Sequence, residues 1–209
     1  MLMLPYKLNA LTLALAGLAT LGHAADYADP TWPCVQRKVG QLSIGLMWPL
    51  PVQSQVETSD PGTQRDVAEL AQTLALRRVD LEQMQPRIAA FAAKYDGDPQ
   101  VLGGVFVAVF DILSTRRMRI IDGIGDFSLS QIGLAEQIET TRNDMDRLLA
   151  ADEPDFDRVD KLEEKLDWDQ VIYSDRQKSI AYLCETPVLL ERRLFEIARM
   201  LQELVREQG

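Results

Sequence analysis

The sequence predicts an all-α fold: a long antiparallel coiled-coil hairpin, two shorter helices packed at one end of it, and an irregular N-terminal arm. Two apolar ladders with one shared repeat carry that prediction, together with the Asp152-Glu153-Pro154 break between them and the proline-rich punctuation of residues 29–51. The first ladder is Phe106, Phe110, Leu113, Arg117, Ile120, Ile124, Phe127, Gln131, Leu134, Ile138, Thr141, Met145 and Leu148. The second is Val159, Leu162, Leu166, Asp169, Tyr173, Arg176, Ile180, Leu183, Pro187, Leu190, Leu194, Ile197, Leu201 and Leu204. Steps that alternate between three and four residues hold one narrow stripe toward a partner helix, which is the seam of a coiled coil. The short break and the matched lengths make each ladder the other's partner.

Taken in chain order, residues 1–24 read as a cleaved signal peptide. Lys7 precedes an apolar stretch from Leu8 to Leu21, and Gly22-His23-Ala24 supplies small residues at the cleavage positions. That stretch falls short of the roughly 20 apolar residues a membrane span needs, and no later segment is long and uncharged enough. An uncleaved anchor is the alternative; a lipoprotein is disfavoured because no cysteine stands at the cleavage site after the stretch. A mature chain from Ala25, without an integral membrane segment, is expected to be periplasmic or secreted.

Residues 25–63 read as an irregular arm and loop. Asp29-Pro30, Trp32-Pro33, Trp48-Pro49 and Leu50-Pro51 push the residues before proline away from helical geometry, and Trp32 and Trp48 are the arm's large apolar anchors. The stretch from Pro51 to Thr63 has few anchors and reads as an exposed loop.

The helical domain then covers residues 64–209, with the short helices in 64–95 and the hairpin in 98–207. A short helix over Gln64–Arg77 places Val67, Leu70 and Leu74 on one face. A second, from Asp80 to Tyr95, opens with Asp80 and Gln83 at capping-box spacing, and Pro86 kinks it or delays its start. Asp98-Pro99 announces the first long helix, running to about Ala151, and Pro154-Asp155 starts the return, running to about Arg206. At 1.5 Å per residue each long helix spans on the order of 75 Å. Helices of about 15 residues reach only a third of that, so the end near Asp152 should project as a bare two-helix stalk.

Folding the hairpin with Leu148 against Val159 sets Gln131 across from Arg176, Arg117 across from Leu190 and Cys184 across from Gly123. Cys34 and Cys184 form an even pair in an exported chain, which predicts a structural disulfide; they are not in a Cys-x-x-Cys motif. Gly123 and Gly125 then suggest a gap, completed by a bend at Pro187, into which the arm packs through Trp32 and Cys34. The plain reading is that both glycines are merely tolerated in the helix. Among the polar seam positions Arg117, Gln131, Thr141, Asp169 and Arg176, a register-fixing role is expected.

Function is bounded mainly by exclusion. The chain's one histidine is His23, so the mature chain has none, which removes His-based acid–base catalysis, Ser-His and Cys-His nucleophiles and His ligation of metals. Net charge is −10, and residues 139–175 hold 13 acidic against 5 basic side chains, a net of −8. Such a chain is a poor nucleic-acid binder, since phosphate neutralisation needs clustered Lys and Arg. Asp152, Glu153, Asp155, Phe156 and Asp157 at the hairpin turn are candidate partner-binding residues. They lack the ligand spacing and turn glycine of a calcium loop, and neither metal nor cofactor is expected. Arg116, Arg117, Arg119, Arg192, Arg193 and Arg199 gather at the other end, where ion pairs with Asp111, Asp122, Glu185, Glu191 and Glu196 are expected. An anion patch, or a seat for the acidic tip of a second copy, is the other reading. The expected function is that of an exported non-enzymatic adaptor, assembly factor or chaperone-like protein with a protein partner and possible homo-oligomers. The alternative is a helical bundle that binds or senses a small ligand.

Overall fold

The computed structural model describes residues 29–51 and 60–206, so the signal-peptide reading and most of the expected loop lie outside the described residues. Those residues form five helices and no strand: α1 Ile44–Met47, α2 Pro61–Leu74, α3 Leu81–Lys94, α4 Pro99–Leu149 and α5 Phe156–Gln202. At 51 and 47 residues, α4 and α5 are more than three times the length of α2 and α3, which have 14 each.

Aspartate starts each of the four longer helices. Asp60 accepts from the Gly62 and Thr63 amides, Asp80 from Glu82, Asp98 from Gln100 and Val101, and Asp155 from Arg158. Each carboxylate satisfies orphan first-turn donors and sits at the positive end of the helix dipole, which contributes about 0.5–2 kcal/mol per cap. The cap explains why α2 begins at Pro61 rather than at Gln64. Pro86 lies inside α3 and does not delay its start. The arm also contains α1, a single turn that the proline punctuation conceals.

No member of either ladder is exposed: all are buried or half-buried. Three α4–α5 contacts lie next to the expected facing positions, while Gln131 reaches a residue three positions from its expected partner Arg176. Arg117 pairs with Glu191, next to Leu190; Arg176 donates to the Ser130 hydroxyl, next to Gln131; and Cys184 clusters with Ile124, next to Gly123. Gln131 itself donates from Nε2 to the Tyr173 carbonyl at 3.2 Å, and Gln137 to Asp169 at 2.7 Å.

The main core lies at the end that carries α1, α2 and α3. There Phe106, Val109, Leu113, Leu190, Leu194, Ile197 and Leu201 are fully buried against Leu70, Leu74, Ile88 and Trp48. Trp48 stacks on Phe106 with ring centroids 5.2 Å apart, so α1 and its flanking arm close the core from outside. Beyond Ile124 and Cys184, toward the connection, neither cluster has a buried member among the described residues. Burial there falls to Ser128, Gln131, Ile138, Thr141, Val159 and Leu166, half of them polar.

Two glycines separate backbone need from tolerance. Gly97 closes the α3–α4 turn at φ +68°, donates to the Ala92 carbonyl at 2.8 Å and accepts from Arg206; an added Cβ would stand 2.8 Å from the Leu204 carbonyl. Gly123 has nothing within 4 Å of an added Cβ. Gly97→Ala is expected to cost roughly 1–3 kcal/mol, whereas Gly123→Ala should stabilise by about 0.5–1 kcal/mol. Urea midpoints of the two variants will show shifts of opposite sign.

Candidate functional site

Two regions carry chemistry: the α4–α5 connection with its flanks, and the strap that the arm lays across both long helices. At the connection Asp152, Glu153, Asp155, Phe156 and Asp157 are all exposed, Phe156 at 64%. Asp155 is committed to capping α5 through the Arg158 amide at 3.1 Å. Asp144 with Arg147 and Glu139 with Arg142 form short-range ion pairs on α4, and Lys165 pairs with Asp169 on α5. Most of the acidic side chains of this region form no ion pair among the described residues. Beside them α5 exposes Trp168, Val171 and Ile172, spaced so that they share an outward face. This apolar group does not appear among the sequence-predicted site residues; its signal is large side chains one or two positions off the seam. No group of three side chains that could hold a metal ion comes together among the described residues.

The strap begins where Asp29 holds the arm's own turn. Its carboxylate accepts from the Thr31 amide and hydroxyl and pairs with Lys38 at 3.1 Å. Those hydrogen bonds, above all the one from the Thr31 hydroxyl, hold the Asp29 carboxyl down at about 2. Pro30 offers its carbonyl to the Ser128 hydroxyl at 2.6 Å, and Thr31 lies 3.5 Å from the point where a Gly125 Cβ would stand. Cys34 and Trp32 do pack with Ile124, between the two glycines, but the expectation that these two side chains fill space left by Gly123 and Gly125 is corrected. Thr31 fills the space at Gly125, and Gly123 faces open space, with nothing within 4 Å of an added Cβ.

Cys34 and Cys184 form the expected disulfide, with 5.5 Å between their Cα atoms and 150 residues between them. Beside the bridge, Trp32 donates its indole N–H to the Gln36 carbonyl at 2.6 Å, and Gln36 donates to the Cys184 carbonyl. Pro187, buried one turn on in α5, lacks the N–H that would reach the Leu183 carbonyl and so leaves this stretch of helix short of one internal bond. Farther along, Arg117 donates to the Val39 carbonyl at 2.7 Å and to Gly40 at 3.4 Å. Burial pushes the Arg117 guanidinium down from its ordinary value, and Glu191 opposes that shift.

The other arginines answer differently from expectation. Arg116 and Arg193 do not reach the interleaved carboxylates. Arg116 donates to the Ala75 carbonyl at 3.2 Å, and Arg193 to Leu74 at 2.8 Å and Val79 at 2.9 Å. The last carbonyls of α2 have no intrahelical donors and sit at the negative end of its dipole, so they compete well for a guanidinium. Arg117–Glu191 is the ion pair between these groups among the described residues.

The chain matches no protein-family model, and comparison with curated proteins and with solved structures finds no match.

Two outcomes follow for the strap. Replacing both cysteines by serine is expected to cost about 2–5 kcal/mol, as a long closed loop is released in the unfolded chain, and reductant should add nothing to that variant. Denaturant titration with and without reductant measures it. For Asp29 the folded value lies below 3.8, so its contribution is complete above that pH and is lost as pH falls toward about 2. A carboxyl titration followed by NMR should place the Asp29 midpoint near 2; a midpoint near 3.8 would contradict the hydrogen-bonded turn.

Proposed function

We propose that this is an exported, non-enzymatic helical protein that works as an adaptor, assembly factor or chaperone-like partner. In this reading α4 and α5 form an antiparallel coiled-coil hairpin, and the part beyond the arm is a two-helix stalk presenting its acidic end and flank to a basic protein surface. The observation that carries it is the outward group Trp168, Val171 and Ile172, set among carboxylates that form few ion pairs among the described residues, on a stretch of α5 that joins neither described core cluster through a buried residue. Large apolar side chains held in water on a long paired helix are a common signature of an interaction face. Acidic surroundings steer a basic partner and raise its on-rate.

Export rests on the amino-terminal pattern of Lys7, apolar stretch and small residues, and is supported by the Cys34–Cys184 bridge, a bond favoured in oxidising compartments. No helix of the described residues is long and apolar enough to cross a membrane.

Photo-crosslinkers at Phe156, Trp168 and Leu46 test the stalk. Leu46, 81% exposed on α1, is the control at the opposite end. The expected result is capture of one common partner from Phe156 and Trp168, weakened several-fold by half-molar salt through screening. Capture from Leu46 alone, or capture indifferent to salt, would count against the stalk as the interaction surface.

A further inference from the structure

We infer that the cavity between the arm and α5 is a binding site for a small organic monoanion, a carboxylate carried on a compact apolar body. The site is separate from the stalk, so its fate does not decide the adaptor reading. The cavity has a volume of about 350 Å³, with Trp32 and Val39 of the arm on one side and Val188 and Phe195 of α5 on the other. That is the small end of the roughly 300–1,000 Å³ typical of ligand pockets. Arg37, Arg117 and Arg192 line it against a single carboxylate, Glu191. Three positive charges against one negative leave a local excess of two in a chain whose net charge is −10.

Arg117 is the group that asks for a ligand. It is 4% exposed, and a guanidinium carries five N–H donors. Nη1 serves the two arm carbonyls. Nη2 stands 3.6 Å from Glu191, beyond a direct hydrogen bond, and Nε is buried with no acceptor. A buried cation with so few acceptors is costly unless further negative charge approaches it.

Arg37 and Arg192 supply the entrance. Both are exposed, and neither takes part in an ion pair among the described residues. A planar carboxylate suits the fork of a guanidinium, and binding between these two brings its charge toward Arg117. The apolar body of the ligand then covers the faces of Trp32 and Phe195. Glu191 limits the ligand to one negative charge, because a dianion would crowd its carboxylate.

The test uses the oxidised protein, titrated with 4-phenylbutyrate, with 4-phenylbutanol and with inorganic phosphate. Calorimetry gives the affinity, and the Trp32 indole N–H resonance reports the place. Saturable binding of the carboxylate that moves the Trp32 resonance is expected, with at least tenfold weaker binding of the alcohol and of phosphate. The double variant R37Q/R192Q, altered only at exposed positions, should keep the unfolding midpoint and lose at least fivefold in carboxylate affinity. No saturable binding, equal affinity for acid and alcohol, or unchanged affinity in the variant overturns the assignment. So does a salt-sensitive self-association abolished by R37Q/R192Q with no change in 4-phenylbutyrate binding, which would make a second copy's carboxylates the occupant.

Discussion

Two packed helices can bury only a narrow stripe of each, and the α4–α5 seam is the constraint on which everything else in this structure depends. Every ladder position is at least half-buried, so the seam runs the whole length of the pair. What changes along it is the chemistry. Phe106, Leu113, Leu190, Leu194 and Leu201 are fully buried where α2 and α3 add further apolar surface. Toward the connection Gln131 and Thr141 take seam positions, and the surface withdrawn from water shrinks. Burial contributes about 25 cal/mol per Å² of apolar area, so most of the stability must reside at the α2–α3 end. The outer part holds together as a continuation of that end.

The short helices do more than cover apolar surface. The C-terminal carbonyls of α2 are taken by Arg116 of α4 and Arg193 of α5, so a single helix end ties both long helices together. Guanidinium groups that might have been spent on solvent-exposed carboxylates, worth about 0–1 kcal/mol each, instead satisfy backbone acceptors that are partly buried. This explains why α2 stops at Leu74: the chain turns where two cations from outside close the helix.

How much of this could be read from residues alone depends on the range of the signal. The ladders are local and periodic, so the two long packed helices emerge from them, and Arg117–Glu191 and Arg176–Ser130 lie next to expected facing positions while Gln131–Tyr173 does not. Asp60-Pro61 carries the same cap-then-proline signal as Asp98-Pro99, but Gly62 and the polar residues around it imitate a loop and hide the start of α2. The arginine-to-carbonyl bonds join residues 41 and 119 positions apart and leave no local trace. The candidate site divides the same way: the acidic connection is legible as composition, while the exposed Trp168 group and the cavity beside Arg117 require knowing which helix faces are left uncovered.

Arg117 links these levels. It occupies a seam position of α4, where an aliphatic side chain would pack better, yet its guanidinium reaches through the seam edge to the carbonyls of Val39 and Gly40. The first part of the arm, residues 29–40, is thus held at three heights: by Ser128 near its start, by the bridge to Cys184, and by Arg117. Two of these attachments belong to α4 and one to α5. Sliding either long helix by one seam step, about 5 Å, would pull the attachments apart. The bridge alone would fix only the distance between two points, and the polar seam residues alone fix register only weakly. Together they make the position of the arm and the register of the two helices a single condition, so the cavity that the arm forms with α5 keeps its shape only while the seam is in register.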